Sequence, residues 1–216
     1  MHRIRHRVRP KALVVEFAER LLGRGERLIR AGEDLPLVVA NYPRGSAGFA
    51  SALAESLRFT LPSLPVRTRD SYRVVFAALP AVVVADLRKR NPCDCLGHHH
   101  PSSTLTTARR LTADTGGRVG EIDLAVEAIR SWEPLPLSTL AVDAGNRRAR
   151  ARLNDLRFHV ALLSVFLHEL EHVAYPDRSE REIRARSDQF YREALDAQLV
   201  TEFGSNFGLD SPLAVS

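Results

Sequence analysis

The segment His168-Glu169-Leu170-Glu171-His172 concentrates side chains able to do chemistry within five positions of this 216-residue chain. On a helix, residues four apart project from one face about a turn from each other. His168 and His172 would then offer two imidazoles to one ion. Glu169, about 100° round the helix from His168, would reach a water held on that ion. Two neutral nitrogen ligands and a carboxylate base are what metal-assisted hydrolysis requires. Zinc lowers the pKa of its water to near neutrality, and the glutamate takes the proton as the water attacks a carbonyl. The preceding stretch, Val160-Ala161-Leu162-Leu163-Ser164-Val165-Phe166-Leu167, is strongly apolar. The two histidines are therefore expected deep on a buried helix, where each needs a partner. Glu171, read on the helical wheel, is expected to face solvent.

A catalytic zinc keeps one position open beside three protein ligands. Glu182, ten residues past His172, is the expected third ligand, because it borders the apolar stripe Ile183, Phe190, Ala194 and Ala197 of a following helix. Its rival role is structural: Ser179-Glu180-Arg181-Glu182 fits the S-x-x-E capping box. Asp177 with Glu180 fits a similar cap two residues earlier, which would free Glu182. Asp177, Glu180 and the His98–His100 loop are the alternative ligands, and Asp188, expected on the far side of its helix, ranks lower.

A second cluster, Cys93, Cys95, His98, His99 and His100, is also rich in metal-competent groups. Its spacing matches no common zinc finger, so a second structural zinc and a polar loop at the cleft entrance are both open readings. A third is that His98, His99 or His100 donates to the oxyanion formed in hydrolysis, with Tyr175 and Tyr191 as rivals.

These groups must be positioned by elements that the pattern only partly defines. Arg147 to about Ala174 reads as one long helix stopped before Pro176, and Ser179 to Val200 as a second. Val119–Val126 reads as a strand after the turn signal Asp114-Thr115-Gly116-Gly117, whereas Val82–Val84 is β-prone but short enough to fit a buried helix as well. Leu35–Asn41 reads as a short buried strand, and residues 10–31 and 46–59 as helices. Residues 72–76 are β-prone but fit a buried helix as well. Asn91–Ser103 reads as a loop, and the chain from Gly204 as a loose tail.

The motif helix followed by a glutamate-bearing helix resembles the small HExxH zinc peptidases of the minimal gluzincin type. That resemblance covers about residues 80–200 and implies an α+β, zincin-like core, set at residues 71–203; residues 1–70 read as an N-terminal helical region of unknown function that matches no known pattern, and 204–216 as a tail. It implies Zn2+ on His168, His172 and Glu182, Glu169 as base, a peptide or protein substrate, and Gly120–Ala125 as the edge strand lining the cleft. The metzincin pattern is excluded by Tyr175 and Arg178, which stand where it needs glycine and histidine. A non-catalytic metal-binding or regulatory interaction protein, of a phage or mobile-element type, is the alternative.

Composition sets outer limits. Hydrophobic residues are 44% and charged residues 26% of the chain, ordinary for a globular protein with its own core. Apolar runs are too short for a membrane span, and no segment reads as a secretory signal. Two cysteines one residue apart rarely staple a fold, so a reducing, cytoplasmic setting is expected. A net charge of +5 is diluted by interspersed acids, which does not favour nucleic acid as partner. The basic runs Met1–Lys11 and Arg147–Arg152 read as solvated surface.

Overall fold

The computed structural model describes residues 18, 22, 26–29, 37–41, 47–60, 62, 64–77, 79, 81–86, 95–117, 119–132 and 147–203. The basic N-terminal run, Cys93 and the expected tail lie outside them. Among the described residues are five strands: β1 (Glu26–Ile29), β2 (Leu37–Asn41), β3 (Ala81–Asp86), β4 (Gly97–His99) and β5 (Gly120–Leu124). The helices are α1 (Ala47–Glu55), running on into a π-helical turn at Ser56–Thr60, α2 (Val66–Ala77), α3 (Thr106–Thr115), α4 (Val126–Ser131), α5 (Arg147–Ala174) and α6 (Glu180–Phe203). The class is mixed α+β, as expected.

The strands form one sheet in the order β1-β2-β3-β5-β4. β2, β3 and β5 are parallel, and the outer strands β1 and β4 run antiparallel to their neighbours. Two departures from the sequence reading follow. Residues 26–29 are strand, where a helix over 10–31 was expected, and β2 pairs with β3. Glu26–Ile29 and Leu37–Asn41 therefore belong to the same sheet as β3, β4 and β5. β5 lies between β3 and β4, so Gly120–Ala125 is not the edge strand. That place belongs to β4, inside the segment read as a loop, where three residues are too few to show alternation.

Both sheet faces are covered, which explains the unbroken apolar run Ala81-Val82-Val83-Val84-Ala85, buried throughout. Val82, Val84, Ile122 and Leu124 face α1, α2, α5 and α6, whereas Ala81 and Val83 face α3 through Ala108 and Leu111. The β-prone stretch 72–76 is helical, with Tyr72, Val75 and Phe76 buried at helical spacing. On the α3 side, Glu121 is buried and accepts hydrogen bonds from the backbone N–H of Thr104 (2.8 Å) and Leu105 (2.9 Å). It thereby serves donors that the start of α3 leaves open. At the other end Gly116, with φ of +64°, donates its N–H to Thr112 and closes α3.

Helix α5 has 28 residues and is about 42 Å long. Val160 to Val173 crosses the core, and Val160, Ala161, Leu162, Leu163, Phe166, Leu167 and Leu170 are sealed from solvent. Each such large apolar side chain contributes roughly 1.5–3 kcal/mol of burial. Tyr175 N–H donates to the Glu171 carbonyl at 2.8 Å, ending the helix before Pro176, and a short turn returns the chain as α6. No helix among the described residues is long and apolar enough to cross a membrane.

Candidate metal centre

The α5–α6 turn brings three ligand-type groups to one point. His168 and His172 lie on one face of α5, as their spacing requires, and Glu180 opens α6 opposite them. His172 Nε2 is 2.9 Å from one Glu180 oxygen and His168 Nε2 is 3.5 Å from the other. One ligand atom from each lies within 4.8 Å of the other two, close enough to share an ion.

The imidazoles are prepared for that role. Ser187 donates its hydroxyl to the Arg184 carbonyl at 3.0 Å and lies 3.1 Å from His168 Nδ1. With its own proton committed, Ser187 Oγ accepts from Nδ1–H. That fixes the tautomer whose bare Nε2 faces Glu180. Burial lowers the His168 pKa, against the opposing pull of Glu169 and Glu180, so the ring is neutral at pH 7, the form that binds metal. Burial alone would raise the Glu180 carboxyl. His168, Arg184 and His172 outweigh it and hold the group below the usual glutamate range.

Glu182 lies elsewhere. Its carboxylate accepts from the Ser179 N–H (3.0 Å) and hydroxyl (2.7 Å), and its own N–H donates to Ser179 Oγ at 3.3 Å. Those hydrogen bonds lower its pKa. This is the reciprocal capping box, and Glu182 is not in the three-residue group. Glu180, kept as an alternative in the sequence reading, stands where Glu182 was expected. The wheel favoured Glu182 because it weighed the apolar stripe of α6, whereas the angle of the turn decides which first-turn carboxylate meets α5.

Beside the three groups a cleft of about 650 Å³ opens between β4 and α6, lined among others by Leu96, Gly97, His99, Trp132, Val165 and Glu169. Glu169 is largely buried, with Oε2 3.4 Å from His99 Nδ1. The strand reaches it because residue 97 is glycine: a Cβ there would stand 2.7 Å from Glu169 Cγ and 2.8 Å from Val165 Cγ1. The His99 ring stacks on His172, with centroids 4.6 Å apart and planes 10° from parallel.

The other sequence candidates separate by strand alternation. His98 and His100 belong to the opposite face of the sheet. His100 Nε2 is 2.9 Å from the buried carboxylate of Asp123, and His98 packs edge-on against His100 at 5.0 Å while still reaching the rim of the cleft. Cys95 is disulfide-bonded and offers no thiolate, contrary to the expectation for cysteines so spaced. Tyr191 is buried with its ring 5.9 Å from Trp132, and Tyr175 carries the Arg178 guanidinium 3.9 Å above its ring. Neither tyrosine lines the cleft. Asp188 does, as does Ser187, which the sequence reading did not single out. Glu171 does not face solvent: it is 1% exposed and bonded by Arg178 and Arg186. Comparison with known proteins finds no matching family model, no matching curated protein and no matching solved structure.

Proposed function

We propose that this chain is a zinc-dependent peptidase with a zincin-like core, its metal held by His168, His172 and Glu180. The observation that carries the reading is the convergence of those three groups at a cleft that also holds Glu169. The donors fit zinc: two imidazole nitrogens and a carboxylate oxygen, with the tautomer of His168 set by Ser187. When bound, zinc supplies Lewis acidity and makes water acidic near neutral pH.

The chain's own groups supply the rest. Glu169, walled in by Gly97 and Val165 and facing the cleft, would accept the proton of the attacking water and return it to the leaving amine. His99 Nδ1, 3.4 Å from Glu169, would donate to that carboxylate, and in the imidazolium form the ring's Nε2–H would also steady negative charge on the carbonyl oxygen. Among the oxyanion candidates His99 is therefore preferred to His98, His100, Tyr175 and Tyr191. β4 supports a peptide as substrate. The Ala125 N–H donates to the Leu96 carbonyl, and the His100 N–H to the Glu121 carbonyl. Antiparallel alternation then turns the backbone groups of Gly97 and His99 outward, where an extended chain can pair with them.

Glu169→Gln tests the reading. It should leave zinc bound at one equivalent and lower hydrolysis of a peptide library by at least about 10²-fold. Unchanged hydrolysis would remove Glu169 as base. Zinc at one equivalent with no hydrolysis by the wild type would favour a non-catalytic metal protein.

A further inference from the structure

Glu171 is the charged residue within the motif that the proposed chemistry leaves unused. Its carboxylate is sealed from solvent and accepts from Arg178 Nη1 at 2.9 Å and from Arg186 Nε at 2.9 Å on both oxygens. The two guanidiniums are seated in turn, Arg178 over the Tyr175 ring at 3.9 Å and Arg186 near the Tyr72 ring at 5.5 Å. Stability alone gives little reason for such a triad, because well-packed apolar residues in place of a buried ion cluster are often neutral or stabilising. What an ion cluster adds is geometric definition, and here its members bracket one residue. Arg178 lies two positions before Glu180 and Arg186 six after it, while Glu171 adjoins His172.

Glu180 needs that help. It sits in the first turn of α6 with its side chain about half exposed (54%), held on its own helix by one exposed ion pair, Arg184 Nη2 at 3.1 Å. A carboxylate on an unrestrained helix start would pay ordering entropy each time it closed on the imidazoles. We propose that Glu171, Arg178 and Arg186 form a positioning clamp that locks the start of α6 against the end of α5 and so preforms the third arm of the metal site. This rests on the reading of His168, His172 and Glu180 as ligands.

The test is zinc affinity, measured by competition with a chromogenic chelator, on wild type, Glu171→Gln, Glu180→Ala and the double variant. Glu171→Gln should weaken zinc binding by roughly 10- to 100-fold, the scale for groups that orient metal ligands. In the Glu180→Ala background the same substitution should change affinity by less than about twofold, because the residue it positions is gone. An equal loss in both backgrounds, or none in either, would overturn the clamp and leave Glu171 a purely structural residue. If Glu171→Gln does not fold by circular dichroism, Arg178→Gln and Arg186→Gln carry the same cycle, each with part of the loss. A wild type that binds no zinc would instead overturn the ligand assignment beneath the proposal.

Discussion

The two faces of strand β4 put neighbouring histidines to different uses. His99 faces α5, where it stacks on His172 and lies against Glu169. His100, one residue on, faces the other side and is bound to the buried Asp123. His98, on the His100 side, packs against that ring and reaches the cleft only at its rim. Residue type is the same at all three positions, so the period of two along a strand decides which ring faces α5 and Glu169. A dense run of metal-competent side chains thus sets one ring against Glu169 and His172 and another against the buried Asp123, with His98 touching both sides.

Substitutions along this divide should give effects of different kind as well as size. The largest belong to the α5 side. His172→Ala removes a ligand and should abolish both stoichiometric zinc binding and hydrolysis, as read by metal analysis after gel filtration and by peptide cleavage. Next is His99→Ala, expected to lower kcat by about 10²–10³-fold, the scale of a lost charge-stabilising donor, with zinc stoichiometry intact. An unaltered kcat would place the oxyanion donor elsewhere.

On the other face the loss should be one of stability. His100→Ala takes a partner from a fully buried carboxylate, at a cost of about 1–3 kcal/mol. With roughly 2–4 °C per kcal/mol in a domain of this size, thermal unfolding should show it while zinc affinity stays as in wild type. A change in zinc affinity would mean that the two faces are not independent. His98→Ala should be the mildest, within about 0.5 kcal/mol by denaturant titration.

The helical pair was legible in the sequence because its signals are local. Apolar residues from Val160 to Leu170, Pro176 as a stop and the i, i+4 histidines together define α5 and the face it presents. Strands were legible in β2 and β5, whereas the all-apolar run of β3 fits a buried helix equally until its partners across the sheet are known. The three-residue β4 and the four-residue β1 are specified by their partners across the sheet. Wheel reasoning failed at two glutamates for one reason. The exposure of Glu171 and the direction of Glu180 depend on how α6 folds back on α5, which no single helix encodes. The signal that could have helped was the ambiguity itself: two overlapping caps, Asp177 with Glu180 and Ser179 with Glu182, of which only one could be made. Ser179 and Glu182 make it, which leaves the Glu180 carboxylate to meet His168 and His172.

Zinc binding distinguishes these two carboxylates, two residues apart. Zinc titration of the tag-free protein alongside Glu180→Ala and Glu182→Ala, with X-ray absorption at the zinc edge, tests the choice between them directly. The expected result is one zinc per wild-type chain with a first shell of two imidazoles and carboxylate or water oxygen. Glu182→Ala should bind zinc equally tightly, and Glu180→Ala should bind it at least about tenfold more weakly. Loss of zinc in Glu182→Ala with retention in Glu180→Ala, or no zinc in the wild type, would contradict the proposed metal centre.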